Sequence, residues 1–461
     1  MLSLFYRVFK GYYSGQVRGF LKLLPIFSLF SSRARRFERR LKDVWDYSHN
    51  DGLFSQNKNS TCKVKYNGSV LFCIHSSGCF HPSGYASRTI ALLQALKRKE
   101  VDPVVAIRPG YPWDLKGAER FAKTDLIEYQ GIPFHLFPNA KSTLRSPESE
   151  YINSYSRLLV ELANNSTASI VHASSNYLNG SAAALASKKL GVPSIYEVRG
   201  LWHLTRAFYN QRYKDSEHYH YCEKREVDTC RGVDHVIALS DGLKEWLVQR
   251  GVVDTKISVV GNATFLPDWS LATDDTVHML RRKYGLSPGV PVLGYLGSLV
   301  EYEGLDILIR LLASTIPARR PYLLLVGGGR QKKTLENLAN SLSLSRWVIF
   351  SGPVEKVVVS AHYRLMDLVA LPRRESPLTN IVPPIKPFEV VAHRRPLIVS
   401  PSVANALGST LSGGYSVVDF HQVGTMDELI GFAELDLKFA MVPTWDNRAD
   451  QILQVYRSLS A

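Results

Sequence analysis

A chain of 461 residues exceeds what one hydrophobic core holds and fits two domains of ordinary size plus extensions. With 45% apolar and 21% charged residues it has the make-up of a globular protein, which excludes wholesale disorder. The formal charge of +15 is unevenly placed: residues 1–60 hold 11 basic against 4 acidic side chains, a net of +7.

Five cysteines (Cys62, Cys73, Cys79, Cys222, Cys230) are odd in number and form no C-x-x-C pair. That spacing argues against a disulfide framework or a zinc site and for a reducing compartment. The extension, residues 1–64, carries the apolar run Gly19-Phe-Leu-Lys-Leu-Leu-Pro-Ile-Phe-Ser-Leu-Phe30, then Arg33, Arg35, Arg36, Arg39 and Arg40. A spanning helix needs roughly 20 apolar residues, and this run is shorter and contains Lys22 and Pro25. It lacks the small-residue cleavage site of a signal peptide. Aromatics and leucines beside a polybasic cluster fit an anchor lying on an anionic membrane surface. A helix packed on the body of the protein, with a solvated basic face, is the other reading. No nucleic-acid motif accompanies the charge, so nucleic acid is not expected as a partner. The expected location is cytoplasmic, peripheral on the inner face of the plasma membrane.

The first domain is expected over residues 65–268. Ser69–Ile74 reads as a buried strand, followed by a glycine-containing loop and a helix from Tyr85 to about Lys99. Its glycines do not match G-x-G-x-x-G, so a dinucleotide reading is weak. Strands at 101–107, 132–136, 170–172, 193–198, 235–239 and 257–260 then alternate with helices. That alternation predicts a parallel sheet covered on both faces, with ligands outside the carboxyl ends of the strands. His172, Arg199 and Ser240 stand at such ends.

The second domain, residues 269–440, repeats the pattern. Strands are expected at 290–295, 322–326, 347–350, 367–371 and 397–399, with helices between them. A C-terminal helix in 441–461 is expected to pack back on the first domain. The most chemically loaded stretch is Pro372–Glu389, with five prolines, Arg373, Arg374, Lys386, Glu375 and Glu389. It reads as strand, loop and helix start, an arrangement that offers backbone N–H groups to anions. Basic side chains there suit phosphate, and a carboxylate suits hydroxyls. A nucleotide sugar has both.

These residues are similar to a known family. Gly294-Tyr-Leu-Gly-Ser-Leu-Val-Glu-Tyr-Glu-Gly-Leu-Asp306, Leu325-Val-Gly-Gly-Gly329, Phe350-Ser-Gly-Pro353 and Lys386-Pro-Phe-Glu-Val-Val-Ala-His-Arg-Arg-Pro-Leu-Ile-Val399 resemble family 4 glycosyltransferases of the GT-B fold. Ser83–Arg88, Tyr196–Trp202 and Val236–Leu243 extend the likeness upstream. The resemblance implies an α/β fold of two Rossmann-like, doubly wound domains facing across a cleft. It also implies a nucleotide-diphosphate-sugar donor as co-substrate, transfer with retention and without a metal, and no separate cofactor. The expected acceptor is a glycan or lipid-linked molecule of cell-surface polysaccharide or glycolipid synthesis.

On that likeness Glu389 corresponds to the ribose-binding glutamate, and Ile381 stands where a first glutamate is usual. Ser298 and Glu303 stand where the family places Arg and Lys at the donor phosphates. Arg199 replaces a histidine. The expected catalytic residues are therefore Arg199, Arg373 and Lys386. Gly84, Arg88, Gly297, Ser298, Arg330, Ile385 and Glu389 are expected at the donor, with no metal ligands. The departures motivate a rival reading, a catalytically silent GT-B subunit that binds nucleotide or a partner at the membrane. Sugar-nucleotide epimerisation is a further alternative.

Overall fold

The computed structural model describes residues 64–431 and 441–460, with residues 35, 38–40 and 43 of the preceding segment. Of the proposed basic anchor, Arg35, Arg39 and Arg40 are helical, and the apolar run at 19–30 with Arg33 and Arg36 lies outside the described residues. Among them, no helix is long and apolar enough to cross a membrane.

The chain divides into two compact units. The first runs to Leu239 and takes in Leu243–Val260 and the residues from Ala449 onward; the second holds Ser240–Gly242 and Gly261–Arg448. The division thus falls at Val260–Gly261 rather than at 268.

The first unit is built on eight strands: β1 Ser69–Ile74, β2 Asp102–Ile107, β3 Leu126–Tyr129, β4 Ile132–His135, β5 Ile170–Ser174, β6 Ser194–Val198, β7 His235–Ala238 and β8 Ile257–Val259. Their order is β3-β4-β2-β1-β5-β6-β7-β8. The inner strands read as unbroken apolar runs because both faces are covered; all six residues of β1 and all five of β6 are buried. The sheet is not wholly parallel, contrary to expectation, since β3 and β4 pair antiparallel with Tyr129 opposite Ile132. Gln130 and Gly131 both adopt positive φ (52° and 76°), the conformation that a two-residue hairpin turn requires.

The second unit holds β9 Val292–Leu296, β10 Tyr322–Val326, β11 Val348–Gly352, β12 Leu368–Leu371, β13 Leu397–Val399 and β14 Ser416–Val417. They run in the order β11-β10-β9-β12-β13-β14, all parallel. The order reverses at β9 and β12, so the loops leaving these two strands flank the place where an open α/β sheet binds ligands. One segment differs from its reading as loop. Pro377–Ile381 is a short helix, with Ser376 capping the Thr379 N–H at 3.2 Å and Pro377 in its first turn.

A buried acid in the first unit has a stability consequence. Glu226, on the helix Glu217–Gly232, accepts the Tyr196 hydroxyl at 2.5 Å. Burial pushes its carboxyl from 4.5 up to about 7. A carboxyl with a raised folded value contributes stability that is complete below the unfolded value and lost as pH rises through about 7. The displacement from 4.5 to about 7 corresponds to roughly 3 kcal/mol. Glu226→Gln is therefore expected to raise the thermal midpoint at pH 8 and leave it nearly unchanged at pH 4.5. Equal effects at both would contradict the assignment.

Candidate functional site

In the first unit the chain leaves β6 through Glu197, Val198 and Arg199. Glu197 is fully buried. Arg88, on the helix Gly84–Arg98, donates to its Oε1 from Nε (2.9 Å) and Nη2 (2.5 Å), and from Nη2 to the Val260 carbonyl (3.0 Å). Arg199 meets Oε2 through Nε (2.6 Å) and Nη2 (2.5 Å), and its Nη1 donates to Thr89 Oγ1 at 2.5 Å. Its guanidinium lies over the Tyr85 ring, 4.8 Å from the centroid. Burial alone would raise the Glu197 carboxyl, but the two guanidinium charges outweigh it and hold the group well below the ordinary carboxylate range.

Of the residues expected at the site, Arg199 (catalytic) has every side-chain nitrogen engaged inside the unit, and Arg88 (donor-binding) is bound to the same carboxylate. Gly84 is exposed and opens the helix after the Ser83 cap. His172 is fully buried with Nδ1 2.7 Å from the Tyr456 hydroxyl. Burial lowers it to about 4, so it is a neutral packing partner of the helix Trp445–Ser458.

In the second unit the loop after β9 runs Gly297–Gly304, and Glu303 near its end is 2% exposed. Two cations converge on one oxygen of this carboxylate. Arg373, just past β12, donates Nη2 to Oε1 at 2.9 Å, and Lys386 donates Nζ to the same Oε1 at 2.9 Å. Burial would raise Glu303, but Arg373 and Lys386 hold it down to about 2.

Arg373 is fixed further. Its Nη1 donates to the Val382 carbonyl at 3.1 Å, and its own carbonyl accepts the Ser400 and Ser402 hydroxyls at 2.8 and 3.1 Å. Its Nε is buried without a partner among the described residues. Lys386 passes over the Tyr295 ring (5.1 Å) and against Gly297, where an added Cβ would stand 2.2 Å from Lys386 Cε. Gly297 has φ +149° and is thus demanded twice, by backbone and by the lysine stem.

Lys386 opens the helix Lys386–Ala392, which also carries Glu389. Glu389 accepts the Tyr363 hydroxyl at 3.0 Å, and burial raises its carboxyl above 4.5. Arg374 pairs with Asp306 at 2.6 Å. Ser298 is exposed and its carbonyl accepts the Tyr295 hydroxyl at 2.9 Å. Ile385 is partly buried just before the helix. Arg330 lines a hollow of about 550 Å³ with Gly329, Lys332, Lys333 and Phe350, none of them in the Glu303 cluster. Ile381 ends the short helix; its carbonyl accepts the Ser240 hydroxyl at 2.6 Å, and its side chain lies against Gly242.

Glu197 and Glu303 are the groups that reading the sequence passed over as site organisers. Glu303 registered only as a missing lysine. The available signal was its appearance as an acid in the same chain that gains Lys386 and Arg373.

Residues 83–263 match the model of the glycosyl transferase 4-like domain, and residues 290–419 that of glycosyl transferases group 1. A D-inositol 3-phosphate glycosyltransferase of Corynebacterium urealyticum is 25% identical over 54% of this chain and 61% of its own length. A GDP-mannose-dependent alpha-(1-6)-phosphatidylinositol monomannoside mannosyltransferase of Mycolicibacterium smegmatis is 34% identical over 24% of this chain and 28% of its own. The chain thus spans about three fifths or less of these relatives.

Among solved structures, a glycosyltransferase of Rickettsia africae aligns with TM-score 0.62 at 17% identity, covering 86% of this chain and 98% of its own. Anabaena HepE in complex with UDP-glucose aligns with TM-score 0.57 at 19% identity, covering 85% and 97%. These likenesses show the fold, which is GT-B. With both halves matched by glycosyltransferase models, the chain belongs to the GT-B glycosyltransferases of the family 4 type.

The Glu197 cluster yields a stability prediction. Glu197→Ala would leave two buried guanidinium groups uncompensated, which costs about 3–5 kcal/mol. Urea unfolding checks this, and a loss under about 1 kcal/mol would show the cluster to be hydrated rather than buried.

Proposed function

We propose that this chain moves a sugar from a nucleotide-diphosphate-sugar donor to an acceptor hydroxyl, with retention of configuration. The observation that carries the reading is the convergence of Arg373 and Lys386 at the reversal point of the second sheet, with Glu389 one helical turn beyond Lys386. Lys386 donates one of its three N–H groups to Glu303, and its side chain is 16% exposed. These remaining donors suit phosphate oxygens, as charge-assisted bonds to phosphate are the stronger kind. Glu389 is an acceptor for ribose hydroxyls, with Tyr363 holding its other face.

In this reading the leaving diphosphate is stabilised by fixed cations as the glycosidic bond breaks and positive charge grows on the sugar. The acceptor attacks from the same face and passes its proton to the departing phosphate, so no carboxylate nucleophile is needed. HepE was solved with UDP-glucose, and the mycobacterial relative is by name a GDP-mannose-dependent enzyme acting on a phosphatidylinositol mannoside. Those likenesses support a sugar nucleotide as donor and a glycan or lipid-linked molecule as acceptor. A basic N-terminal segment would keep the protein at an anionic membrane carrying such an acceptor.

Incubation with a panel of sugar nucleotides and lipid-linked or soluble acceptors, read by mass spectrometry and by the anomeric proton of the product, tests this. Transfer with retention supports it; binding without turnover favours the silent subunit. Lys386→Ala is expected to weaken donor binding about tenfold or more, the worth of one charge-assisted bond. Unchanged affinity would remove Lys386 from the donor site.

Glu389 must be ionised to accept two hydroxyls. Because its value is raised, donor affinity is expected to decline on acidification before an ordinary carboxylate of 4.5 would protonate. Titration calorimetry on wild type and Glu389→Gln between pH 7.5 and 5 checks this. The same pH dependence in both would refute the role.

A further inference from the structure

We propose that Glu303 is a positioning residue that sets how strongly the site retains the nucleoside diphosphate product relative to the sugar nucleotide. This rests on the reading that Arg373 and Lys386 hold the donor diphosphate.

Three observations support it. The carboxylate is 2% exposed and takes both cations on one oxygen, so it draws Arg373 and Lys386 to a single point. It cannot be set aside by protonation near neutral pH, since the two cations hold it at about 2. And Lys386 keeps donors that Glu303 does not take: it gives the carboxylate one of its three N–H groups, and its side chain is 16% exposed. A phosphate can therefore bind beside Glu303 instead of replacing it.

Two cations and one carboxylate leave the cluster a net charge of +1. The diphosphate of a sugar nucleotide carries about two negative charges. The nucleoside diphosphate left after transfer carries about three near neutral pH, because its terminal phosphate has a second pKa of about 6. Coulomb repulsion from a fixed carboxylate grows with the charge of its neighbour, so Glu303 penalises the product more than the donor. Without Glu303 the same cations would hold the released product more tightly, and turnover would slow at its departure. The acid thus orders the cations and limits their grip.

Titration calorimetry on the full chain with UDP, UDP-glucose, GDP and GDP-mannose tests this on wild type and Glu303→Gln. Neutralising one charge is expected to tighten the binding pair unequally, about tenfold for the sugar nucleotide and about thirtyfold for the diphosphate, in proportion to their charges. Steady-state kinetics should then show a lower donor KM with a lower kcat and stronger product inhibition.

Equal tightening of both ligands, or weakening of both as a loosened loop would give, overturns the proposal. If Glu303→Gln does not fold, Glu303→Asp serves. It keeps the charge and withdraws it slightly, so the ratio of the two affinities should lie between the wild-type value and that expected for the neutral residue; a ratio shifted the other way, toward the sugar nucleotide, overturns the proposal. Wild-type protein that binds none of the four ligands overturns the donor reading along with this one. Wild-type binding that Glu303→Gln leaves unaltered overturns this one alone.

Discussion

A carboxylate that stays ionised out of water has to be met by positive charge, and each unit meets that demand by holding one glutamate between two cations. Desolvating a carboxylate costs several kcal/mol, so the partners are fixed as firmly as any core residue. Glu197 fixes Arg88 and Arg199 in the first unit; Glu303 fixes Arg373 and Lys386 in the second. The two clusters differ in what they leave over. Arg199 has every nitrogen engaged and is 6% exposed, so the first cluster is complete in itself. In the second, Lys386 is 16% exposed and gives Glu303 only one of its three N–H groups. That difference separates a structural ion cluster from a candidate ligand site.

Much of the scaffold was legible in the sequence because parallel strands buried on both faces must be apolar throughout. Ser69–Ile74, Tyr322–Val326 and Leu397–Val399 stand where their apolar runs placed them. The hairpin of β3 and β4 was missed because β3 is half exposed and carries Glu128, so no continuous run announced it. The short helix Pro377–Ile381 was hidden by the prolines around it, although Ser376-Pro377 is a sound helix start. The charge clusters were illegible for a different reason. Glu303 is 70 residues from Arg373 and 83 from Lys386, and Arg88 is 109 from Glu197. Local pattern carries no information on pairings that only the sheet order creates.

The same distance explains why Ser298 and Glu303 read as the loss of two phosphate-binding cations. Along the chain, an acid at 303 removes a charge. In space the acid recruits two, one from the loop after β12 and one from the helix that follows. Lys386 reaches that point across Gly297, where a side chain would crowd the end of the lysine and strain a backbone held at φ +149°.

Two acids on this side of the second unit are pushed in opposite directions, and that separates their tasks. Glu303 touches two cations, is held ionised, and has no role that involves changing its charge. Glu389 has no cation within hydrogen-bonding distance among the described residues, receives one hydroxyl from Tyr363, and is raised by burial. A carboxylate so placed gains from further O–H donors, because the Tyr363 hydroxyl and the charges of Lys386 and Lys356 offset its desolvation only in part. Vicinal hydroxyls supply two at once. The tool that tunes Glu303 is charge; the tool that tunes Glu389 is the scarcity of partners, and a polyhydroxyl ligand such as a ribose is what relieves that scarcity without adding charge to the site.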